Sequence, residues 1–128
     1  MTSTPLHYAT IWEAIADRIP ERPALRHGGR VESWGEFEER SARLAGALCA
    51  HGIGVQDSVG LYLYNCPQFF EACFAAFKIR ARSFNANYRY RGDELWTLLD
   101  NSEARALFYD TALRDRVASV VEIGRAHV

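Results

Sequence analysis

Ser58, Val59, Gly60, Leu61, Tyr62, Leu63 and Tyr64 form an almost unbroken apolar run. A strand with one wet face alternates apolar and polar residues. A strand without that alternation is buried on both faces, and such strands lie mostly in parallel sheets. Parallel strands cannot be joined by a tight turn; they need a crossover, usually a helix. The rest of the sequence supplies that rhythm. Asn65-Cys66-Pro67 opens a helix, with proline in the first turn where its missing N–H costs least. Phe69, Phe70, Cys73 and Phe77 are expected on its buried face. Arg82-Ser83-Phe84-Asn85 reads as a short strand, and Leu95, Leu98 and Leu99 mark a further helix. Ala106-Leu107-Phe108-Tyr109 is expected to be a second buried strand, and Leu113, Val117, Val120 and Val121 mark a last helix. Right-handed crossovers in this order give an α/β fold with helices on both faces of a mostly parallel sheet.

The first third of the chain prepares that layer. Ile11, Ile15 and Ile19 recur every four residues with Trp12 and Ala16 beside them, which predicts an amphipathic helix stopped by Pro20. Ala24-Leu25-Arg26 and Val31-Glu32-Ser33 flank His27-Gly28-Gly29-Arg30, a hairpin whose paired glycines tolerate positive φ. Ser33 and Glu36 have the spacing of a capping box. The helix they start carries Phe37, Leu44 and Leu48 on one face and ends at His51-Gly52.

Composition bounds the chemistry. The chain has 128 residues, 48% hydrophobic and 24% charged, enough for one globular domain. A net charge of −1 argues against a nucleic-acid binder. Cys49, Cys66 and Cys73 form no C-x-x-C pair and read as small apolar core residues. His7, His27, His51 and His127 show no metal-ligand spacing. No stretch has the length of a membrane span, and Met1 to Pro5 lacks the basic and apolar regions of a secretory signal, so a cytoplasmic protein is expected.

A search for catalytic motifs returns nothing. Gly52-Ile53-Gly54 lacks the third glycine of a dinucleotide loop and precedes a strand, so it reads as a helix exit and turn. There is no G-x-x-x-x-G-K-[ST] and no G-x-S-x-G. Glu36, Glu38 and Glu39 read as a solvated helix N-terminus, and Asp93 and Glu94 as the start of the next helix. Tyr88, Arg89, Tyr90 and Arg91 read as a loop packed onto its domain in preference to a base-stacking platform. No residue is assigned as catalytic, cofactor-binding or metal-binding. The residues alone describe an α/β domain without a visible active site, and a small stand-alone binding or interaction module fits them as well as an enzyme fragment does.

Several stretches together resemble the adenylate-forming superfamily, the acyl-CoA synthetases and their relatives. Ser33-Trp34-Gly35-Glu36-Phe37 is similar to the family's early Thr/Ser-aromatic-x-Glu-Leu motif. Gly52, Gly54, Asp57 and Val59 match its Gly-x-Gly-x-x-Asp-x-Val lead into a buried strand. Asn65, Pro67, Phe69-Phe70-Glu71-Ala72 and Phe74-Ala75-Ala76-Phe77-Lys78 follow in order. The most specific match is Phe84-Asn85-Ala86-Asn87-Tyr88-Arg89-Tyr90 with Asp93-Glu94-Leu95, which resembles fatty-acyl and related synthetases of actinobacterial type. Arg82 and Ser83 depart from the pattern where an apolar residue and proline are usual. An arginine in a buried strand needs a partner or an exit to solvent.

The resemblance implies an acid–thiol ligase using ATP, Mg and CoA. A fatty or related carboxylic acid attacks the α-phosphate of ATP, pyrophosphate leaves, and CoA thiolate then displaces AMP to give acyl-CoA. Other adenylating enzymes, such as peptide-synthetase domains, share the first half of that chemistry. The family's phosphate loop, adenine site and catalytic lysine have no counterpart in these residues. The expected organisation is an N-terminal arm over 1–9, an incomplete AMP-dependent synthetase domain over 10–121, and a non-native tail over 122–128. Ile123-Gly124-Arg125-Ala126-His127-Val128 is the translation of a widely used sequencing adapter, ATC-GGA-AGA-GCA-CAC-GTC, and Glu122 would share a codon with it. An incomplete domain is expected to leave a sheet edge and apolar helix faces uncovered.

Overall fold

The computed structural model describes residues 7–126. Helix α1 (Tyr8–Arg18) is followed by a hairpin of β1 (Pro23–His27) and β2 (Arg30–Ser33), then helix α2 (Trp34–Ala50). The chain then alternates through β3 (Ser58–Tyr62), α3 (Pro67–Lys78), β4 (Arg82–Asn85), α4 (Gly92–Asn101) and β5 (Ala104–Tyr109). A single 3₁₀ turn, Thr111–Leu113, leads into α5 (Arg114–Ala126).

The three later strands form one parallel sheet in the order β4-β3-β5. All five residues of β3 are buried, as the apolar run requires. Its side chains alternate between the faces. Val59 and Leu61 point into a core with α2 and α3 that includes Ala45, Leu48, Ala72, Ala75 and Ala76. Tyr62 enters a second core with Leu95 of α4 and Val120 of α5. The doubly wound α/β architecture expected from the sequence is therefore present, with both helical layers in place. A third cluster lies beyond α3, where Ala9, Phe37 and Phe74 bring α1, α2 and α3 together against Leu25 of the hairpin.

Gly60 explains why the sheet closes tightly on the α4/α5 side. It pairs in register with Phe84 on β4 and Leu107 on β5. A Cβ built on Gly60 would stand 2.9 Å from Phe84 Cζ and 2.9 Å from Leu107 Cδ1. The neighbouring side chains fill the space that glycine leaves. Gly60→Val should cost about 2 kcal/mol through overpacking, read as a lowered urea midpoint. An unchanged midpoint would mean that the two neighbours swing aside freely.

The local signals at the start of α2 are borne out. Ser33 Oγ accepts from the Glu36 amide at 3.2 Å, and Glu36 Oε1 accepts from the Ser33 amide at 3.1 Å. Those two contacts, the amide first, hold the Glu36 carboxyl below its ordinary range. The hairpin turn places Gly28 and Gly29 at φ 55° and 79°, and α2 exits through Gly52 at φ 80°. Helix α1 starts at Tyr8, two residues before the expected domain boundary. His7 caps it, its Nδ1 accepting from the Ala9 amide at 3.1 Å. Helix α5 runs on through Glu122, Ile123, Gly124, Arg125 and Ala126, while residues 1–6, His127 and Val128 lie outside the described residues.

Five expectations need correction. The isoleucine stripe of α1 does not face the core: Ile11 and Ile19 are exposed, and Ala9, Trp12 and Ala16 pack inward. Ala9 and Ala16 are buried, and Trp12 reaches Phe37 of α2 and Phe74 of α3 with its ring. On α3 Phe69, Cys73 and Phe77 pack against the core as expected, but Phe70 is exposed and the fully buried residues are Glu71, Ala72, Phe74, Ala75 and Ala76. That helix is packed on more than one side, so no single stripe describes it. Strand β5 is only half-buried, because it is the sheet edge. The cysteines do not all belong to the core: Cys73 is partly buried and packs against it, Cys49 is exposed and Cys66 is partly buried. Glu38 is not simply solvated. Its Oε1 accepts from Lys78 Nζ at 2.5 Å, and Lys78 also reaches Glu13 at 3.2 Å.

Candidate functional site

In open α/β sheets, ligands bind beyond the carboxyl ends of the strands. Among the described residues a cleft of about 590 Å³ lies there, past the ends of β3 and β5 and against α2 and α3. Leu44, Leu63 and Phe108 supply the apolar wall. Arg40, Arg43, Glu71 and Asp110 supply charge, but each is already engaged. Arg40 Nε donates to Glu71 Oε2 at 2.6 Å, Arg43 pairs with Glu39, and Asp110 Oδ1 accepts from the Ala112 amide at 2.8 Å. Cys66 lines the same cleft as a free thiol, with no histidine among the lining residues to activate it. The cleft can shelter apolar surface. It carries no constellation for acid–base or nucleophilic chemistry.

A triphosphate needs backbone amides free to point at it, usually from a glycine-rich loop at a helix N-terminus. The N-terminus of α3, which opens at the cleft, fits poorly. Pro67 removes one donor, and the Phe69 amide donates to Cys66 O at 3.1 Å. Gly54 is likewise spent, its amide donating to Asp57 Oδ2 at 2.8 Å. Neither place offers the run of free amides that a triphosphate needs.

The aromatic loop after β4 is a packing device, as its composition suggested. Tyr62 Oη donates to Tyr90 O at 2.5 Å, and Arg116 Nη1 donates to Tyr88 O at 2.6 Å. Tyr88 and Tyr90 pack on the core formed by α4 and α5. Arg89 lies over the Tyr88 ring at 5.5 Å. Arg82, the departure noted above, takes the exit to solvent at the sheet edge and donates from Nε to Gln56 O at 3.1 Å.

Sequence reasoning missed the most unusual polar group. Glu71 is 2% exposed in the middle of α3, and Glu32 on β2 is 8% exposed. Arg40 on α2 stands between them and solvent. Burial first, then the neighbouring Glu71, pushes the Glu32 carboxyl up to about 7. The hydrogen bond to Glu71 pushes Arg40 further up from its already high value. Nothing in residues 67–78 marks Glu71 as different from a surface glutamate. The one available hint was its position between Phe70 and Ala72 in an otherwise apolar helix.

A doubly wound sheet with a cleft at its strand ends defines a class of binding scaffold, with the reacting groups still to be supplied. Within that class, the chain belongs to the AMP-binding enzyme family, which matches residues 12–127. It is 41% identical over 116 residues to a 3-oxocholest-4-en-26-oate–CoA ligase of Rhodococcus rhodochrous, covering 91% of this chain and 21% of that protein. It is 38% identical over 141 aligned residues to the medium-chain acyl-CoA ligase Mig of Mycobacterium avium, covering 99% of this chain and 26% of that protein. Both relatives are actinobacterial, as the loop after β4 suggested. Among solved structures, a benzoate CoA ligase from Burkholderia xenovorans LB400 superposes with a TM-score of 0.86 at 22% identity. That match covers 92% of this chain and 24% of the other, and it speaks to fold alone. The chain thus spans about a fifth to a quarter of the length of the relatives it matches. Among the described residues, no helix is long and apolar enough to cross a membrane.

Proposed function

We propose that these residues form the scaffold of an ATP-dependent acyl-CoA synthetase and are inactive by themselves. The parent reaction joins a fatty or related carboxylic acid to CoA, using ATP and Mg and releasing AMP and pyrophosphate, in the cytoplasm. The observation that carries this reading is the family match across residues 12–127, together with relatives named as CoA ligases. The site geometry agrees with the second half of the proposal. The matched motifs build caps, strand leads and packing faces. The bounds 10–121 for the domain and the adapter origin of the tail belong to the same proposal. Genomic sequence beyond the Val121 codon tests the tail.

The decisive experiment is a chimera. Residues 10–121 replace the corresponding segment of the Rhodococcus rhodochrous ligase, and acyl-CoA formation is measured with that enzyme's own acid. Retained acyl-CoA formation, together with no pyrophosphate release by the chain alone with ATP, Mg, CoA and a fatty acid, is the expected pair of results. Pyrophosphate release by the chain alone would overturn the proposal. Tight ATP binding by residues 1–121 would instead favour a self-sufficient binding module.

A further inference from the structure

The join between the β1–β2 hairpin and the helices contains a carboxylate oxygen that has nothing to bond to. Glu32 Oε2 is sealed from solvent and has no hydrogen-bond partner. An ionised oxygen in that position is costly. Glu71 of α3, almost wholly buried, is its neighbour. Arg40 of α2 faces both, with Nε 2.6 Å from Glu71 Oε2 and 3.7 Å from Glu32 Oε1. The first contact is a strong charge-assisted hydrogen bond; the second is too long to be one.

The charges around Glu32 can be followed element by element. From α3 comes Glu71, from α2 come Arg40 and Glu36, and from β2 itself Arg30 lines the same small cavity. That cavity, about 20 Å³, also touches Leu25, Pro67 and Gln68, which carry no charge. It has room for about one water molecule. Arg40 is committed to Glu71, so two ionised carboxylates would share one guanidinium in a site closed to bulk solvent. Like charges that close do not both ionise readily.

We propose that Glu32 and Glu71 share a single proton, held on Glu32 and donated to Glu71, and that this proton fastens the hairpin to α2 and α3. The unpartnered oxygen then becomes a hydroxyl donor with an acceptor beside it. The proton rests on Glu32 because Glu71 already has Arg40. Release of the proton leaves two carboxylates facing each other across the join, and the hairpin loosens.

The direction in pH follows from which state holds the proton more firmly. The Glu32 carboxyl is raised from 4.5 to about 7, by burial and then by Glu71, with Arg40 acting the other way. The folded protein therefore keeps a proton that the unfolded chain has lost. The contribution of this contact is complete below the unfolded value and disappears as pH rises through the folded one.

The test is a direct titration of the chain with ¹³C-labelled glutamate, assigned through the backbone. The Glu32 carboxyl carbon is followed from about pH 4 to about pH 9. A midpoint of about 7 is the expected result. Amide exchange in residues 23–33, corrected for the intrinsic effect of pH, should lose protection about tenfold between about pH 6 and about pH 8. Glu32→Gln should abolish that loss, because its amide donates to Glu71 at every pH. A Glu32 midpoint near 4.5 overturns the proposal, however firmly the chain is packed. So does an identical loss of protection in Glu32→Gln. Were that variant unable to fold, the titration of the wild-type carboxyl would still decide.

Discussion

Phe74→Ala should destabilise the chain by about 3–5 kcal/mol, the largest effect expected of any single substitution in it. The ring is fully buried where three helices and the hairpin converge. Trp12 of α1 meets it edge-on at 5.2 Å between centroids, and Phe37 of α2 lies at 5.0 Å. Lys78 Nζ sits 4.4 Å over the same ring while bridging Glu13 and Glu38. Truncation to alanine removes apolar burial and leaves a cavity that the backbones of α1 and α2 cannot both collapse into. A domain of this size is typically stable by about 5–15 kcal/mol, so the loss is a large share of the whole. Urea unfolding followed by tryptophan fluorescence is the measurement, since Trp12 touches the ring and Trp34 packs on Phe37. The midpoint should fall by about 2 M. Phe70→Ala, four residues earlier and 45% exposed, should cost less than about 1 kcal/mol. Equal effects at the two positions would mean that the Phe74 face of α3 does not pack against α1 and α2 as described.

That pair of phenylalanines shows how far the sequence reached. The order of strands and helices, the capping box and the hairpin turn are all local or periodic signals. Gly28, Gly29, Ser33, Glu36 and Pro67 each act within a few residues of themselves, so each could be read where it stands. The run around Val59 and Leu61 announced a doubly buried strand because burial on both faces leaves nothing polar to alternate. The faces of α1 and α3 are legible only in part, since Phe69, Cys73 and Phe77 pack inward but Phe70, Ile11 and Ile19 do not, because helix periodicity locates one apolar stripe. Helix α3 contacts neighbours on several sides, and α1 packs through Trp12 and its alanines while Ile11 and Ile19 stay exposed. Edge position was also invisible: Leu107 and Phe108 look as buried as Leu61 until the sheet order is known. The Glu32–Arg40–Glu71 group was hidden for the same reason. Its members come from β2, α2 and α3, and only tertiary packing brings them together. Chemistry was legible mainly as an absence of motifs, and the family came from the order of several weak ones.

The second large effect belongs to that hidden group. Arg40→Leu should cost about 3 kcal/mol near pH 8, because it strands the Glu71 carboxylate in a site from which water is excluded. Arg40 itself is half-exposed, so little of the loss comes from its own burial. The diagnostic feature is the pH dependence. Without the guanidinium, which holds the Glu32 carboxyl down, that carboxyl is raised further above its unfolded value, so the variant recovers stability as pH falls and loses it as pH rises. Measured by urea unfolding, the deficit relative to wild type should shrink to about 1 kcal/mol near pH 5. Arg40→Leu combined with Glu71→Met removes both charges and fills the space, and should restore most of the stability near pH 8, as paired charges replaced by apolar groups commonly do. A deficit that is the same at both pH values, or that the second substitution does not relieve, would mean that Arg40 acts through the packing of its aliphatic stem. Glu71 would then be solvated in a way its burial does not suggest. The recovery with acid is what separates the two accounts, because lost packing has no proton to gain.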